Sequence, residues 1–75
     1  MSRTLRVKMF KFDNDDPYRM MIAIEHDKNA FHVRVYRVNP NGVLATEADG
    51  VAHTQLDASN IFNAWVEKNS YLIRL

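Results

Sequence analysis

One stretch of the chain carries the side chains best suited to bind a partner. Within residues 30–38, positions 31–36 alternate strictly between apolar and polar side chains. The apolar set is Phe31, Val33 and Val35, and the opposite set is His32, Arg34 and Tyr36. A period of two residues is typical of a half-buried β-strand, which packs one side on a core and shows the other to water. The water-facing side therefore places an imidazole, a cation and an aromatic ring next to one another, a combination that could bind an anion or dock on a protein.

The motifs of the common enzyme classes are absent from the sequence. It has no glycine-rich phosphate loop, no His-Glu-x-x-His zinc motif and no Gly-x-Ser-x-Gly nucleophile elbow. Only two glycines occur, and predicted turns account for both. His53 and Asp57 could form half of an acid–base pair, but a helix cap already explains Asp57. We therefore predict a non-enzymatic protein that needs no cofactor.

Two groups of residues have side chains that could bind a metal ion, but neither group has the required spacing. A calcium loop that starts at Asp13 needs glycine at position 18 and glutamate at position 24. The chain has Tyr18 and Ile24 there, so the acidic stretch 13–16 is better interpreted as a solvated turn. The three histidines are His26, His32 and His53, which match no metal motif but could still converge in space as a zinc site. We predict that the chain binds no metal.

Composition limits the class of protein. Seventy-five residues allow one domain, and a hydrophobic content of 47% is enough for a single core. Residues 1–38 hold eight Lys/Arg and five Asp/Glu, whereas residues 39–75 hold two and four, so the excess of positive charge lies in the N-terminal half. The chain has no cysteine, and its first residues form no continuous apolar run. We therefore expect a cytoplasmic protein without disulfides, signal peptide or membrane contact.

The same alternation predicts two further long strands, over residues 3–12 and 18–26. In the first, Leu5, Val7 and Met9 share one side, and the later aromatic residues fall out of phase, which indicates a bulge or strand end near residues 9–11. Residues 27–29 should close an antiparallel hairpin, and residues 39–42 (NPNG) are the strongest turn signal. Short strands are expected over 43–46 and 51–54, with a turn at Asp49-Gly50 between them.

Residues 57–69 form the one predicted helix. Asp57 suits the N-cap position, and Leu56 and Ile61 are spaced for a hydrophobic staple. One apolar stripe at helical spacing contains Ala58, Ile61, Phe62, Trp65 and Val66. The final residues, 71–75, are apolar enough to pack on the core or to form an edge strand.

These elements predict an α+β domain over residues 1–75. Its antiparallel sheet has three long strands and one or two short ones, and a single C-terminal helix covers one face. Trp65 and Phe62 should fill the space between this helix and the sheet. Their expected partners on the sheet are Val7, Ile22, Ile24, Phe31, Val33 and Val35. The other face of the sheet has nothing in the sequence to cover it.

The uncovered face is the predicted binding site. It should collect Arg6, Lys8, Phe10, Arg19, Met21, His32, Arg34 and Tyr36, with Glu25 as the one acid. Cations that contact phosphates and rings that stack on bases are what a single-stranded nucleic acid requires. Nucleic-acid binding is therefore the first hypothesis, although the glycine-containing octapeptide of RNA-recognition domains is absent.

Two other interpretations of this face remain open. The same residue types are enriched at protein interfaces, so the chain could be a small protein-binding inhibitor or modulator that occludes a site on a larger protein, as a phage or plasmid factor would. Its partner would then present an acidic surface, and the chain could also form a homodimer. The simplest interpretation is an ordinary polar sheet face in contact with water.

Overall fold

The chain folds into a five-stranded antiparallel sheet with one helix packed on one face, an α+β arrangement as predicted. A computed structural model describes residues 2–75. The elements are β1 (Ser2–Lys11), β2 (Arg19–Asp27), β3 (Ala30–Val38), β4 (Leu44–Ala52), α1 (Gln55–Lys68) and β5 (Ile73–Arg74). The strand order is β4-β3-β2-β1-β5, so β2 is central and β4 is a full-length edge strand. α1 packs against β2, β3 and β4.

The turn at residues 39–42 forms as predicted and sends the chain into β4. The carbonyl of Asn39 accepts a hydrogen bond from the Gly42 N–H at 2.9 Å. The Asn39 side chain also accepts from the N–H groups of Asn41 and Val43. Gly42 has a φ of 84°, a backbone conformation that residues other than glycine rarely adopt.

β4 is one strand of nine residues, so the prediction of two short strands with a turn between them was wrong. Gly50 lies inside this strand and pairs with Val33. A Cβ atom added to Gly50 would lie 3.2 Å from the Trp65 ring, so this glycine permits close packing of the helix. The irregularity in β4 is instead a bulge, opposite the step between Val35 and Tyr36.

α1 begins earlier than predicted. Thr54 is the N-cap, and its hydroxyl accepts a hydrogen bond from the Asp57 N–H at 3.1 Å. Asp57 is thus the third helical residue, where its charge still suits the positive end of the helix dipole. The predicted staple is also wrong, because 71% of Leu56 is exposed. α1 has 14 residues, and no helix in the described part of the chain is long and apolar enough to cross a membrane.

A bulge in β1 decides which of its side chains face the helix. It lies between Thr4 and Arg6, not near residues 9–11 as the sequence suggested. A one-residue shift in a strand exchanges its two faces, so Phe10 enters the core and is fully buried. Val7, predicted as a core residue, points away from the helix and is 48% exposed.

Phe62 is the residue that fills the space between helix and sheet. It is fully buried with Ala58 on α1, and it lies in one cluster with apolar side chains of β1, β2 and β3. The buried strand residues of this cluster are Phe10, Ile22, Ile24, Val33, Val35 and Ala52. Trp65 is only half-buried and packs at the edge of the cluster. The expectation that both rings plug the core is therefore correct for Phe62 alone.

The C-terminal segment forms the other edge of the sheet. β5 pairs with the end of β1, where Phe10 lies opposite Arg74 and Lys11 opposite Ile73. Leu72 is buried in the core, and the Leu75 N–H donates to the Met9 carbonyl at 3.1 Å. The segment therefore extends the sheet edge, one of the two outcomes that its composition predicted.

Candidate functional site

The candidate site is the outer face, which we define as the side of the sheet opposite α1. Cross-strand register places its side chains in rows, since paired residues share a face. One row contains Met9, Met21, Tyr36 and Thr46, and the next contains Val7, Ala23, Arg34 and Asp49. No helix lies over these rows, because α1 packs on the other side.

Five of the eight predicted site residues lie on the outer face, and three do not. Those on the outer face are Arg19, Met21, His32, Arg34 and Tyr36. Those on the helix side are Arg6, Lys8 and Phe10, and the bulge at the start of β1 is the reason. The Arg6 guanidinium lies 4.4 Å from the centre of the Phe62 ring and donates a hydrogen bond to Asn63 at 3.2 Å. Their places on the outer face are taken by Val7, Met9 and Lys11.

Arg34 is held between two carboxylates at the centre of a charge network. Its Nη1 donates to Glu25 Oε1 at 2.9 Å, and its Nε donates to Asp49 Oδ2 at 3.2 Å. The Nδ1 atom of His32 lies 3.1 Å from the other oxygen of Asp49. The Arg34 and Glu25 side chains are only 26% and 15% exposed, so the guanidinium is already engaged within the protein.

Tyr36 is buried on the outer face even though no helix covers it. Its hydroxyl donates to Glu25 Oε1 at 2.7 Å. Its paired residue is Met21, and Glu25 lies four residues further along β2, so the ring extends over Ala23. Tyr36 is consequently 9% exposed and Ala23 is buried. A base or another flat ligand cannot stack on this ring as it stands.

The network shifts the pKa values of three groups. Hydrogen bonding to Glu25 raises the pKa of Arg34 more than burial lowers it, so Arg34 is always charged. Burial would raise the pKa of Asp49, but hydrogen bonds from His32 and Arg34 outweigh this effect and lower it. Burial, followed by the hydrogen bond to Glu25, raises the pKa of Tyr36. The phenol of Tyr36 is therefore held as a hydrogen-bond donor.

The titration of Tyr36 tests this arrangement. Tyrosinate absorbance is measured against pH for wild type and for Tyr36→Phe, and the difference between the two curves reports Tyr36 alone. We expect the midpoint of this difference to lie above about pH 10, the ordinary pKa of tyrosine. Because the pKa is raised in the folded state, the contribution of Tyr36 to stability is complete below about pH 10 and is lost as the pH rises through the folded pKa. A difference midpoint at or below the ordinary value would contradict the contact between Tyr36 and Glu25.

The outer face is balanced in charge, whereas the sequence predicted an excess of cations. Its cations are Lys11, Arg19 and Arg34, and its acids are Glu25, Asp27 and Asp49. Arg19 is further engaged with the backbone carbonyls of Asp16 and Tyr18. The face therefore offers little net attraction for a strongly charged partner.

Asp13 and His26, which were also considered for chemistry, have local partners. The Asp13 carboxylate accepts hydrogen bonds from the N–H groups of Asp15 and Asp16, both at 2.8 Å, and so stabilises the turn before β2. The His26 ring stacks on Phe31 at 4.3 Å, whereas His32 belongs to the outer face. Within residues 2–75, no three His, Asp or Glu side chains are grouped to hold a metal ion.

The sequence interpretation missed Val7, Met9 and Asp49 as members of the outer face. The relevant signal was present, since Phe10 is out of phase with Leu5. A bulge beside Leu5 resolves that conflict as well as a bulge later in the strand does. The bulge beside Leu5 also places Phe10 in the core, where a large side chain is better buried. Asp49 was missed because its neighbour Gly50 was interpreted as part of a turn. No protein-family model matches the chain, and the searches of curated proteins and solved structures found no match either.

Proposed function

We propose that the chain is a non-enzymatic module that binds another protein with its outer face. The observation that carries the proposal is the apolar surface of Val7, Met9 and Met21 on the outer face, beside a balanced charge network. Methionine, tyrosine and arginine are enriched at protein interfaces, and large exposed apolar areas mark such sites. The partner we infer presents an apolar patch flanked by charges of both signs.

The size of the outer face suits one whole protein interface. Strands of nine or ten residues are about 30 Å long, and the four long strands side by side are about 20 Å across. The resulting area, about 600 Å², approaches the roughly 800 Å² that each partner buries in a standard complex. A partner would therefore have to cover most of the face, as a flat protein surface does.

The fixed position of Arg34 favours tight binding. Ordering a long side chain on association costs about 0.5–1.5 kcal/mol, and the Arg34 side chain is already held by Glu25 and Asp49. The balanced charge further predicts only a weak dependence of affinity on salt. Occlusion of a site on a larger protein, as an inhibitor or modulator, is the role that we propose for this contact.

Nucleic-acid binding stays a prediction with less support. Arg6 and Lys8 lie on the helix side, and the Tyr36 ring is buried. Single-strand binding of the predicted kind needs free cations and exposed rings on one surface. Saturable binding of labelled single-stranded DNA or RNA, with a steep negative salt slope in fluorescence anisotropy, would replace our proposal by this one.

Site-specific photo-crosslinking in the cells that encode the chain tests the proposal. A benzophenone amino acid at Val7 should give one discrete protein adduct, whereas the same probe at the solvent-exposed helix residue Ala64 should give none. Met21→Glu should reduce the adduct at least about tenfold, because it buries an unpaired charge in the apolar contact. Ala64→Glu is the matched control and should leave the yield unchanged.

Two results would contradict a protein partner. The first is equal adduct yield from Val7 and Ala64, which would indicate random collisions. The second is an adduct that contains only this chain, together with a dimer mass in light scattering, which would assign the face to self-association.

A further inference from the structure

A groove beside Trp65 lies apart from the outer face, on the helix side of the sheet. It is a cavity of about 300 Å³ between the C-terminal end of α1 and strands β2 to β4. Its lining residues are Met20, Val35, Ala48, Trp65, Lys68 and Asn69. Most of this lining is apolar, and Trp65, which lines the groove, is half-buried.

The edge strand β4 forms the open wall of this groove. Where β4 faces the helix its side chains are small, since Ala48 and Gly50 lie below Trp65. β4 pairs with β3 alone, so within residues 2–75 the N–H and C=O groups on its other side have no strand partner. Unpaired backbone groups along an edge strand can form hydrogen bonds with an added strand.

We infer that the β4 edge and the groove beside Trp65 together bind an extended segment of another protein, one with a bulky apolar residue and an acidic residue two positions away, since residues two apart share a face of a strand. A strand added to β4 lies about 4.8 Å beyond it. A leucine or phenylalanine side chain on the helix side of that strand would pass over Ala48 and enter the groove against Trp65. Backbone hydrogen bonds would supply affinity, and the groove would select the side chain.

Charge supports an acidic residue in the segment. Lys68 is the one ionisable group that lines the groove, and no carboxylate of residues 2–75 lies within 4.0 Å of its ammonium nitrogen. The acids of β4 are already paired, Glu47 with Arg37 at 2.8 Å and Asp49 with Arg34 at 3.2 Å. A carboxylate two positions from the bulky residue lies on the same face of the added strand, and it would therefore meet the free cation at the groove.

A second copy of the chain is a poorer occupant. β4 contains two carboxylates, Glu47 and Asp49, and no cation. Pairing of two β4 strands would bring these like charges together, which destabilises a cross-strand contact. The bulge in β4 also interrupts a long flat edge, a feature that protects against self-pairing.

Selection from a phage-displayed library of linear heptapeptides on the intact protein tests the inference. The selected sequences should share a bulky apolar residue with Asp or Glu two positions away. A synthetic peptide of the commonest sequence should change the emission of Trp65, the only tryptophan in the chain. It should also slow amide hydrogen exchange in β4 and leave β1 unchanged.

A charge exchange at Lys68 makes the test specific. Lys68→Glu should weaken the acidic peptide about tenfold and should favour a peptide with lysine in place of the acid. The matched control is Lys28→Glu at the exposed turn between β2 and β3, which should change the affinity less than about twofold. Met21→Glu on the outer face should also leave peptide binding intact, so the two proposed surfaces can fail independently.

Three outcomes would overturn the inference. The library could yield no common sequence, or the affinity for the peptide could change equally in Lys68→Glu and in Lys28→Glu. The protection from exchange could also fall on β1 or α1 instead of β4, which would place the peptide elsewhere.

Discussion

Phe62→Ala is expected to destabilise the fold more than any other single change considered for this chain. Phe62 is fully buried, and its ring contacts the core on one side and the Arg6 guanidinium on the other. Truncation of a buried phenylalanine to alanine costs about 3–5 kcal/mol, because transfer energy is lost and a cavity remains. Folded domains are stable by only about 5–15 kcal/mol, and short chains lie near the lower limit.

Urea unfolding followed by circular dichroism measures this loss. We expect a large fall in the unfolding midpoint of Phe62→Ala, with part of the protein unfolded before urea is added. Trp65→Ala is the comparison, since it removes an even larger ring from the same helix. Trp65 is half-buried, so its truncation should cost less than half as much. A larger loss for Trp65→Ala than for Phe62→Ala would mean that α1 packs on the sheet with its Trp65 side and not with its Phe62 side.

Phe10 shows why a binding experiment needs a stability control. Phe10 was predicted to contact a partner from the exposed sheet face, and it is instead fully buried in the core. Phe10→Ala would weaken any binding simply because fewer molecules are folded. Substitutions at Val7 or Met21 do not have this difficulty to the same degree, since both side chains keep contact with water.

The sequence predicted the pattern of strands well because that pattern is local. The alternation in residues 30–38 sets the faces of β3 by itself, and the turn at residues 39–42 is specified by its own residues. The α+β architecture follows once three such strands and one amphipathic helix are recognised. These predictions needed no information about which residues meet in space.

The faces of β1 and the continuity of β4 depend on contacts between elements. A bulge at either end of β1 satisfies the local pattern, and only the packing of Phe10 with Phe62 favours the earlier one. Asp49-Gly50 has the composition of a turn, but Gly50 lies inside β4 where the Trp65 ring approaches the strand closely. The charge balance of the outer face could not be predicted for the same reason, because Asp49 joins that face only when β4 is continuous.

Glu25→Leu is expected to destabilise the fold by removing two hydrogen bonds of the outer face at once. Its Oε1 atom accepts hydrogen bonds from both Tyr36, at 2.7 Å, and Arg34, at 2.9 Å. Leucine would leave the largely buried hydroxyl of Tyr36 without an acceptor and would remove one of the two carboxylates that hold Arg34. Leaving a buried polar group unsatisfied costs about 1–3 kcal/mol. The partial exposure of Arg34 lets water replace part of the loss, so we expect a total of about 2 kcal/mol.

Glu67→Leu provides the matched control, because it makes the same chemical change at an exposed position of α1. It should alter the free energy of unfolding by less than about 0.5 kcal/mol. The double variant Glu25→Leu with Tyr36→Phe should be less destabilised than the two single losses added together, since the second substitution removes the hydroxyl that the first leaves unpaired. Additive losses would show that Glu25 and Tyr36 act separately. In that case Glu25 would not be the group that fixes the Tyr36 side chain on the outer face.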